Sequence, residues 1–349
     1  MFVATAGFSH AVHERIALSP PLERMKLLIV EPLESEVMQW LESRHDVRFA
    51  PELGLDPRAL RQALYNVRAM ILPPAAPVDA QTLHHAPMLR AIGRVSAGVE
   101  NIDLDACARA GVEVVRSLTA TAQAEAEFMV GALLSMLRRV PVVGTDGLLV
   151  GRELGAATVG LVGMPPAART MSTLLAAFGS RVVGYDPSLH ASDGVWERWK
   201  VQPLPLRELL ERCDAVCVQL SYFSRYHGLL GDRFLPWCKP NQVIVCTAHS
   251  GLFDEAALAR ELESGRIAAA WFDSLEPGAL DPGRPLAGLS TLQITPRVAS
   301  TTRESRLRSA WAVARRIDEL IAAAPAAPRE FRPTEPGVPT DLAGDPASP

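Results

Sequence analysis

The sequence predicts an α/β protein built on parallel sheets with helices on both faces. Two observations carry this. Short apolar runs alternate with amphipathic segments along most of the chain, and the stretch 157–187 reads as one complete strand, turn, helix and strand. The length of 349 residues, 48% of them hydrophobic, suffices for two domains of ordinary size.

Residues 1–24 show no clear period and are expected to lie outside the fold as an extension. Met25 begins MKLLIVEPLES, a strand over 27–30 followed by a turn and a helix near 33–43. Further strands are read at AMIL (69–72), LRAIGRV (89–95) and VEVV (112–115). The pair His84 and His85 marks a solvated helix end. A long helix over about 120–139 mixes apolar and polar positions and leads into the unit at 157–187, so it links two domains.

In that unit Thr158 to Val162 is the first strand, Leu174, Leu175 and Phe178 lie on one side of the helix, and the second strand ends at Asp186. The turn after such a strand normally reads GxGxxG or GxGxxA. The first glycine makes the tight turn, the second lets the main chain approach a pyrophosphate, and the third lets helix pack on strand. Here the three positions hold Gly163, Pro165 and Ala168, and Asp186 stands where an acid accepts hydrogen bonds from an adenosine ribose. Phosphate binding at a helix start depends on free backbone N–H groups. Pro165 and Pro166 have none, although proline suits the first turn of a helix structurally. Two readings stay open: a dinucleotide site with fewer donors, or a helix start that kept its shape and lost its ligand.

After Asp186 the alternation resumes with a helix near 205–211, strands at 215–220 and 242–247, a helix near 254–263, and strands at 267–272 and 291–295. A helix near 302–323 follows, and seven prolines in 325–349 mark a disordered tail.

Lys plus Arg number 35 against 39 acidic residues, a net charge of −4 with no long run of one sign, which argues against nucleic acid or an anionic membrane as partner. No apolar run reaches the ~18 residues of a membrane span, and no leader pattern opens the chain, so a cytoplasmic protein is expected. The five cysteines are scattered and read as small buried hydrophobes, and the eight histidines form no zinc pattern.

Four stretches carry a resemblance: GRVSAGVENIDLDACARAGVEVV (93–115), TVGLVGMPPAARTMSTLLAAFGSRVVGYDP (158–187), HGLLGDRFLPWCKPNQVIVCTAHSGLFDEAAL (227–258) and DSLEPGALDPGRPLAGLSTLQITPRVASTTRES (273–305). From about Met25 to Ala323 the chain resembles the D-isomer-specific 2-hydroxyacid dehydrogenases. The resemblance implies two doubly wound, Rossmann-like domains, the first discontinuous. Residues 25–119 plus 302–324 would form a flavodoxin-like substrate domain and 120–301 the dinucleotide-binding domain. It also implies a homodimer, a small 2-hydroxy or 2-keto acid as substrate, and NAD as cofactor, with binding weakened by Pro165 and Pro166.

Catalysis in the family uses a cation on the substrate carboxylate, a histidine that moves the alcohol proton, and a carboxylate that orients the histidine. The cation's place holds His249, the carboxylate's place falls on Gly278, and the histidine's place holds Arg297. Asp273 matches an aspartate near the nicotinamide end, and Asp186 matches the ribose acid that favours NAD. Gly98, Asn101 and Asp103 match the substrate loop, with Ser96 replacing its first glycine.

Three functions remain. The first is an oxidoreductase in which His249 and Arg297 have exchanged positions, with Glu276 two residues from the missing acid and a candidate partner for His249. The second is a non-catalytic dimeric binding or regulatory protein. The third is a sensor of a small acidic ligand that uses Arg297 as carboxylate clamp.

Overall fold

The computed structural model describes residues 26–322 apart from residues 97 and 100. The expected extension 1–24 and the Pro-rich tail 325–349 lie outside the described residues.

The first sheet is formed by β1 (Lys26–Ile29), β2 (Asp46–Phe49), β3 (Ala69–Ile71), β4 (Ala91–Arg94) and β5 (Glu113–Arg116). All pairs are parallel and the order is β2-β1-β3-β4-β5. Successive side chains of a strand point to opposite faces, so each strand feeds two cores. Leu28, Met70 and Ile92 pack under α2 (Pro57–Ala63), α3 (Ala80–His84) and α4 (Leu104–Ala110). Leu27, Ile29, Ala69, Ile71 and Ala91 face α1 (Ser35–Arg44) together with Val313 and Ile317 of the last helix, α10 (Arg303–Ala322). The first domain is therefore discontinuous. Arg44 fixes the return of α10, donating to both oxygens of Asp318 at 2.9 and 2.8 Å.

The long helix α5 (Leu118–Arg139) crosses to the second sheet, where it packs on α6 (Pro166–Phe178). In the chain, a small antiparallel hairpin, β6 (Val142–Val143) with β7 (Leu149–Val150), follows α5 and precedes α6. The second sheet contains β8 (Thr158–Val162), β9 (Arg181–Tyr185), β10 (Gln202–Pro203), β11 (Ala215–Val218), β12 (Gln242–Cys246), β13 (Ile267–Phe272) and β14 (Leu292–Ile294). Its order is β10-β9-β8-β11-β12-β13-β14, all parallel. The chain reverses direction across the sheet between β8 and β11, and ligands of open α/β sheets bind beyond the carboxyl ends of strands at such a point. Helices α7 (Val195–Arg198), α8 (Leu206–Arg212) and α9 (Glu255–Glu263) complete the layers.

Every strand and helix read from apolar periodicity is present within a few residues. The elements not anticipated are β2, β6, β7, β10, α2, α4 and α7, while of α3 only the end at His84 and His85 was read. These strands are two to four residues long and these helices four to seven, too short to show a period. Helices α2, α3 and α4 start instead on local caps: Asp56 accepts the N–H groups of Arg58 and Ala59, Asp79 that of Thr82, and Asp103 that of Ala106. All five cysteines are buried. No helix among the described residues is long and apolar enough to cross a membrane.

Gly163 sits where β8 meets the turn, with φ +90, and a Cβ there would lie 2.5 Å from the backbone N and Cα of Leu220. Conformation and space both exclude a side chain. Gly163→Ala is expected to cost about 3 kcal/mol or more in urea denaturation. Gly228→Ala, at φ +64 with open space around it, is expected to cost only about 1 kcal/mol. Equal losses at the two positions would show that the backbone contact under Gly163 is unimportant.

Candidate active site

Two clefts lie at the carboxyl ends of the second sheet and share Pro165 as a wall. The first, of about 370 Å³, is bordered by Arg169, Asp186, Leu189, Phe223 and Tyr226. Asp186 leaves β9 and accepts from the Met164 N–H at 2.8 Å on one oxygen, and from the Ser188 N–H at 2.9 Å and hydroxyl at 2.6 Å on the other. A carboxylate offers about four lone-pair sites, so Asp186, which lines the cleft, has capacity for one further donor such as a ribose hydroxyl. Ala168 is fully buried against the sheet, the small residue that helix–strand packing requires.

The pyrophosphate side is poorer. The Gly163 N–H is spent on the Tyr185 carbonyl at 2.7 Å, that of Met164 on Asp186, and Pro165 and Pro166 have none. Ala167 is the first residue of α6 to bring an N–H to this end of the helix. The residues present fit the adenosine half of a dinucleotide and would offer its phosphates fewer donors.

The second cleft, of about 260 Å³, gathers side chains from four consecutive strand ends: Gln219 after β11, His249 after β12, Asp273 after β13 and Arg297 after β14. Glu125, from α5, lines it too. The sequence-predicted residues His249, Asp273 and Arg297 thus meet in one place, and Gly163, Ala168 and Asp186 build the neighbouring turn.

Asp273 is buried and its oxygens are occupied. It accepts from the Thr295 hydroxyl at 2.8 Å and from the N–H groups of Val298 and Ala299, each at 2.9 Å. These bonds fold the segment after β14 back over β13. The Arg297 N–H donates to the Asp273 carbonyl at 2.6 Å, and Arg297 adopts φ 55. Its side chain is exposed at the cleft, with no ion pair among the described residues.

His249 is held on three sides. Its Nδ1 accepts the Gly251 N–H at 3.1 Å, so in the neutral ring the proton sits on Nε2. Its Nε2 faces Glu276 Oε1 at 3.6 Å, and its ring stacks on Tyr222 with centroids 4.3 Å apart. The Glu276 N–H donates to the Ser250 hydroxyl at 3.1 Å, which ties the acid's loop to the turn after His249. Gly278, where the family's carboxylate aligns, sits in a turn at φ +83 and borders a separate cleft with Arg297. Arg94, fully buried, donates to the Gly98 carbonyl and the Ser96 hydroxyl and shapes the loop at the first domain's edge of the site.

A doubly wound sheet, a helix entering at its switch point and an acid at the end of the second strand define a dinucleotide-binding α/β protein of the oxidoreductase type. The family model described as D-isomer specific 2-hydroxyacid dehydrogenase, NAD binding domain, matches residues 136–299. The chain is 31% identical over 294 residues to the (S)-sulfolactate dehydrogenase of Chromohalobacter salexigens, covering 82% of this chain and 94% of that one. It is 31% identical over 306 residues to the D-3-phosphoglycerate dehydrogenase of Mycobacterium tuberculosis, covering 85% of this chain but only 57% of that one. Among solved structures, the D-mandelate dehydrogenase of Rhodotorula graminis shares the fold with a TM-score of 0.72 at 21% identity, over 85% of this chain and 94% of that one. The chain belongs to the D-isomer-specific 2-hydroxyacid dehydrogenase family.

Glu125, Gln219 and Tyr222 were not anticipated from the sequence. For Glu125 a signal existed: it falls three residues after Ala122 and four before Met129, both buried, which puts it on the core stripe of α5. Burial pushes its carboxyl above the ordinary value of 4.5, the Thr121 hydroxyl at 2.8 Å pulls it back in part, and the charge of Asp273 adds to the rise. A raised carboxyl is a stability deficit that appears as the pH climbs through its folded value and vanishes below its unfolded one. Glu125→Gln is therefore expected to raise the thermal midpoint near about pH 8 and to leave it nearly unchanged near about pH 4, by scanning calorimetry. A pH-independent difference would remove Glu125 as the cause.

Proposed function

We propose that this chain is an oxidoreductase of a small 2-hydroxy or 2-keto acid in which the family's catalytic pair is rearranged. The observation that carries the reading is that His249, faced by Glu276 at 3.6 Å, and the guanidinium of Arg297, which has no ion pair among the described residues, line one cleft at the sheet's carboxyl edge. NAD, when bound, supplies hydride transfer at the substrate carbon. Arg297 holds the substrate carboxylate through its planar fork of donors. Protonated His249 gives its Nε2 proton to the forming alkoxide and becomes neutral, or takes that proton back in the reverse direction, and Glu276 offsets the charge of the imidazolium, whose protonation at Nδ1 releases the Gly251 N–H. Stacking on Tyr222 keeps the imidazole from turning. Asp186 receives the adenosine ribose, Gly163 and Ala168 shape its turn, and Asp273 holds Arg297 in place.

In this reading residues 25–119 with 302–324 bear the substrate side and 120–301 the cofactor side, in a cytoplasmic homodimer. The hairpin β6–β7, with Val143, Leu148 and Leu149 at least 64% exposed, supplies apolar surface for the contact between subunits.

A second reading, a non-catalytic dimeric binding or regulatory protein or a sensor of a small acid, is favoured by the turn, where Pro165 and Pro166 bring no N–H to a phosphate. Calorimetric titration with NADH separates the two. Each charge-assisted bond is worth roughly 1.5–3 kcal/mol, so the double variant Pro165→Gly, Pro166→Arg is expected to bind NADH at least ~10-fold more tightly than the native chain. In an NADH-oxidation assay with a panel of 2-keto acids, His249→Ala and Arg297→Ala are each expected to lower kcat/KM by ~100-fold or more. Absence of turnover with every acid would leave the second reading. Turnover that survives both substitutions would discard the rearranged pair.

A further inference from the structure

The polar lining of the second cleft is unbalanced. Its charged and ring donors are the Arg297 guanidinium and the His249 Nε2–H, and the latter already faces Glu276. Ser274 and Ser300 add hydroxyls that donate or accept, and the carboxylates of Glu125 and Asp273 accept. Gln219 is 6% exposed, and its Nε2 points at the Met171 sulfur at 3.9 Å, an acceptor that only an N–H can use. The Gln219 Oε1 is consequently the end left over, and it is buried with no hydrogen-bond partner. Glu125 accepts a single hydroxyl, that of Thr121. Thr247 turns its own hydroxyl away, toward the Met129 sulfur at 3.8 Å. Pro165 brings no donor.

A keto or hydroxyl oxygen finds no complement in Glu125 and Gln219 beyond a single hydroxyl proton, whereas a buried carbonyl oxygen without a partner costs free energy until a donor reaches it. A cationic N–H group satisfies both at once: it donates to Oε1 of Gln219 and pairs with the Glu125 carboxylate, whose burial makes a positive partner more valuable. Gln219 and Arg297 leave β11 and β14, three strand spacings apart, or about 14 Å at about 4.8 Å each. The cleft is thus polar at two ends with opposite sign.

We propose that this cleft selects a zwitterionic ligand, an acid whose carboxylate lies on Arg297 and whose ammonium, iminium or guanidinium group lies on Glu125 and Gln219. The inference rests on the carboxylate role given to Arg297 above and adds the cation site opposite it. The nitrogen is either at C2, as in an amino or imino acid, or at the end of the side chain of a 2-hydroxy or 2-keto acid.

Calorimetric titration of the full chain with two matched pairs tests this without cofactor. Alanine against lactate places the nitrogen at C2, and 6-amino-2-hydroxyhexanoate against 2-hydroxyhexanoate places it at the far end. In one pair the amine is expected to bind on the order of tenfold more tightly or better. Glu125→Gln, which keeps the Thr121 bond, is expected to reduce that preference to about twofold or less without weakening the uncharged acid, while Arg297→Ala weakens both members. Thermal midpoints of the variants verify folding. Uncharged acids that bind through Arg297 as tightly as the amines, or an equal effect of Glu125→Gln on both members, would overturn the cation site and leave the carboxylate clamp. No binding by any of the four would overturn the clamp and the cation site together.

Discussion

The site depends on one buried carboxylate, that of Asp273. Three donors from the segment after β14 converge on it, and its own carbonyl takes a fourth from Arg297. Arg297 pays about 1 kcal/mol or more for its left-handed backbone, a conformation that persists only when its surroundings over-determine it. The Asp273 bonds do so, and they turn an exposed arginine toward the cleft. A sheet edge supplies only strand ends about 4.8 Å apart, and chains of hydrogen bonds of this kind convert those ends into a constellation.

The same device recurs at the other cleft, where Asp186 ties its own turn to Met164 and Ser188. Both acids were legible from the sequence because their positions follow from strand patterns: each comes at the end of a predicted strand in a βα setting. Gly163 and Ala168 were legible for the same reason, since a tight turn and a helix packed on a strand leave few choices of residue. Elements without a period, such as β2 and α2 to α4, and contacts made by side chains across elements were not. Gln219 carries no local pattern at all: its meaning comes from an oxygen left unpartnered after Met171 has drawn its nitrogen away.

The His249–Glu276 contact marks the limit more finely. The alignment places the family's acid on Gly278, and that residue forms a turn at φ +83 and has no side chain to offer the imidazole. The sequence showed only that Glu276 stood two positions off. What closes the gap is the bond from the Glu276 N–H to the Ser250 hydroxyl, which joins the loop after β13 to the turn after β12. A backbone-to-hydroxyl bond between segments 26 residues apart has no signature in composition or spacing.

Pro165 lines both clefts and joins the two halves of the site. A proline there takes a donor from the phosphate turn while its fixed φ keeps the helix start in place. Binding strength and positioning are therefore separable in this protein. Losing N–H donors weakens attraction for a charged cofactor by roughly 1.5–3 kcal/mol each, yet the strand ends, the Asp273 clamp and the His249 cradle do not depend on them. Here the arginine is held in a costly conformation, the imidazole is fixed on three sides, and an acceptor is kept buried and waiting for a donor. The left-handed Arg297 backbone and the unpartnered Gln219 oxygen cost free energy, and a ligand that met both would offset it.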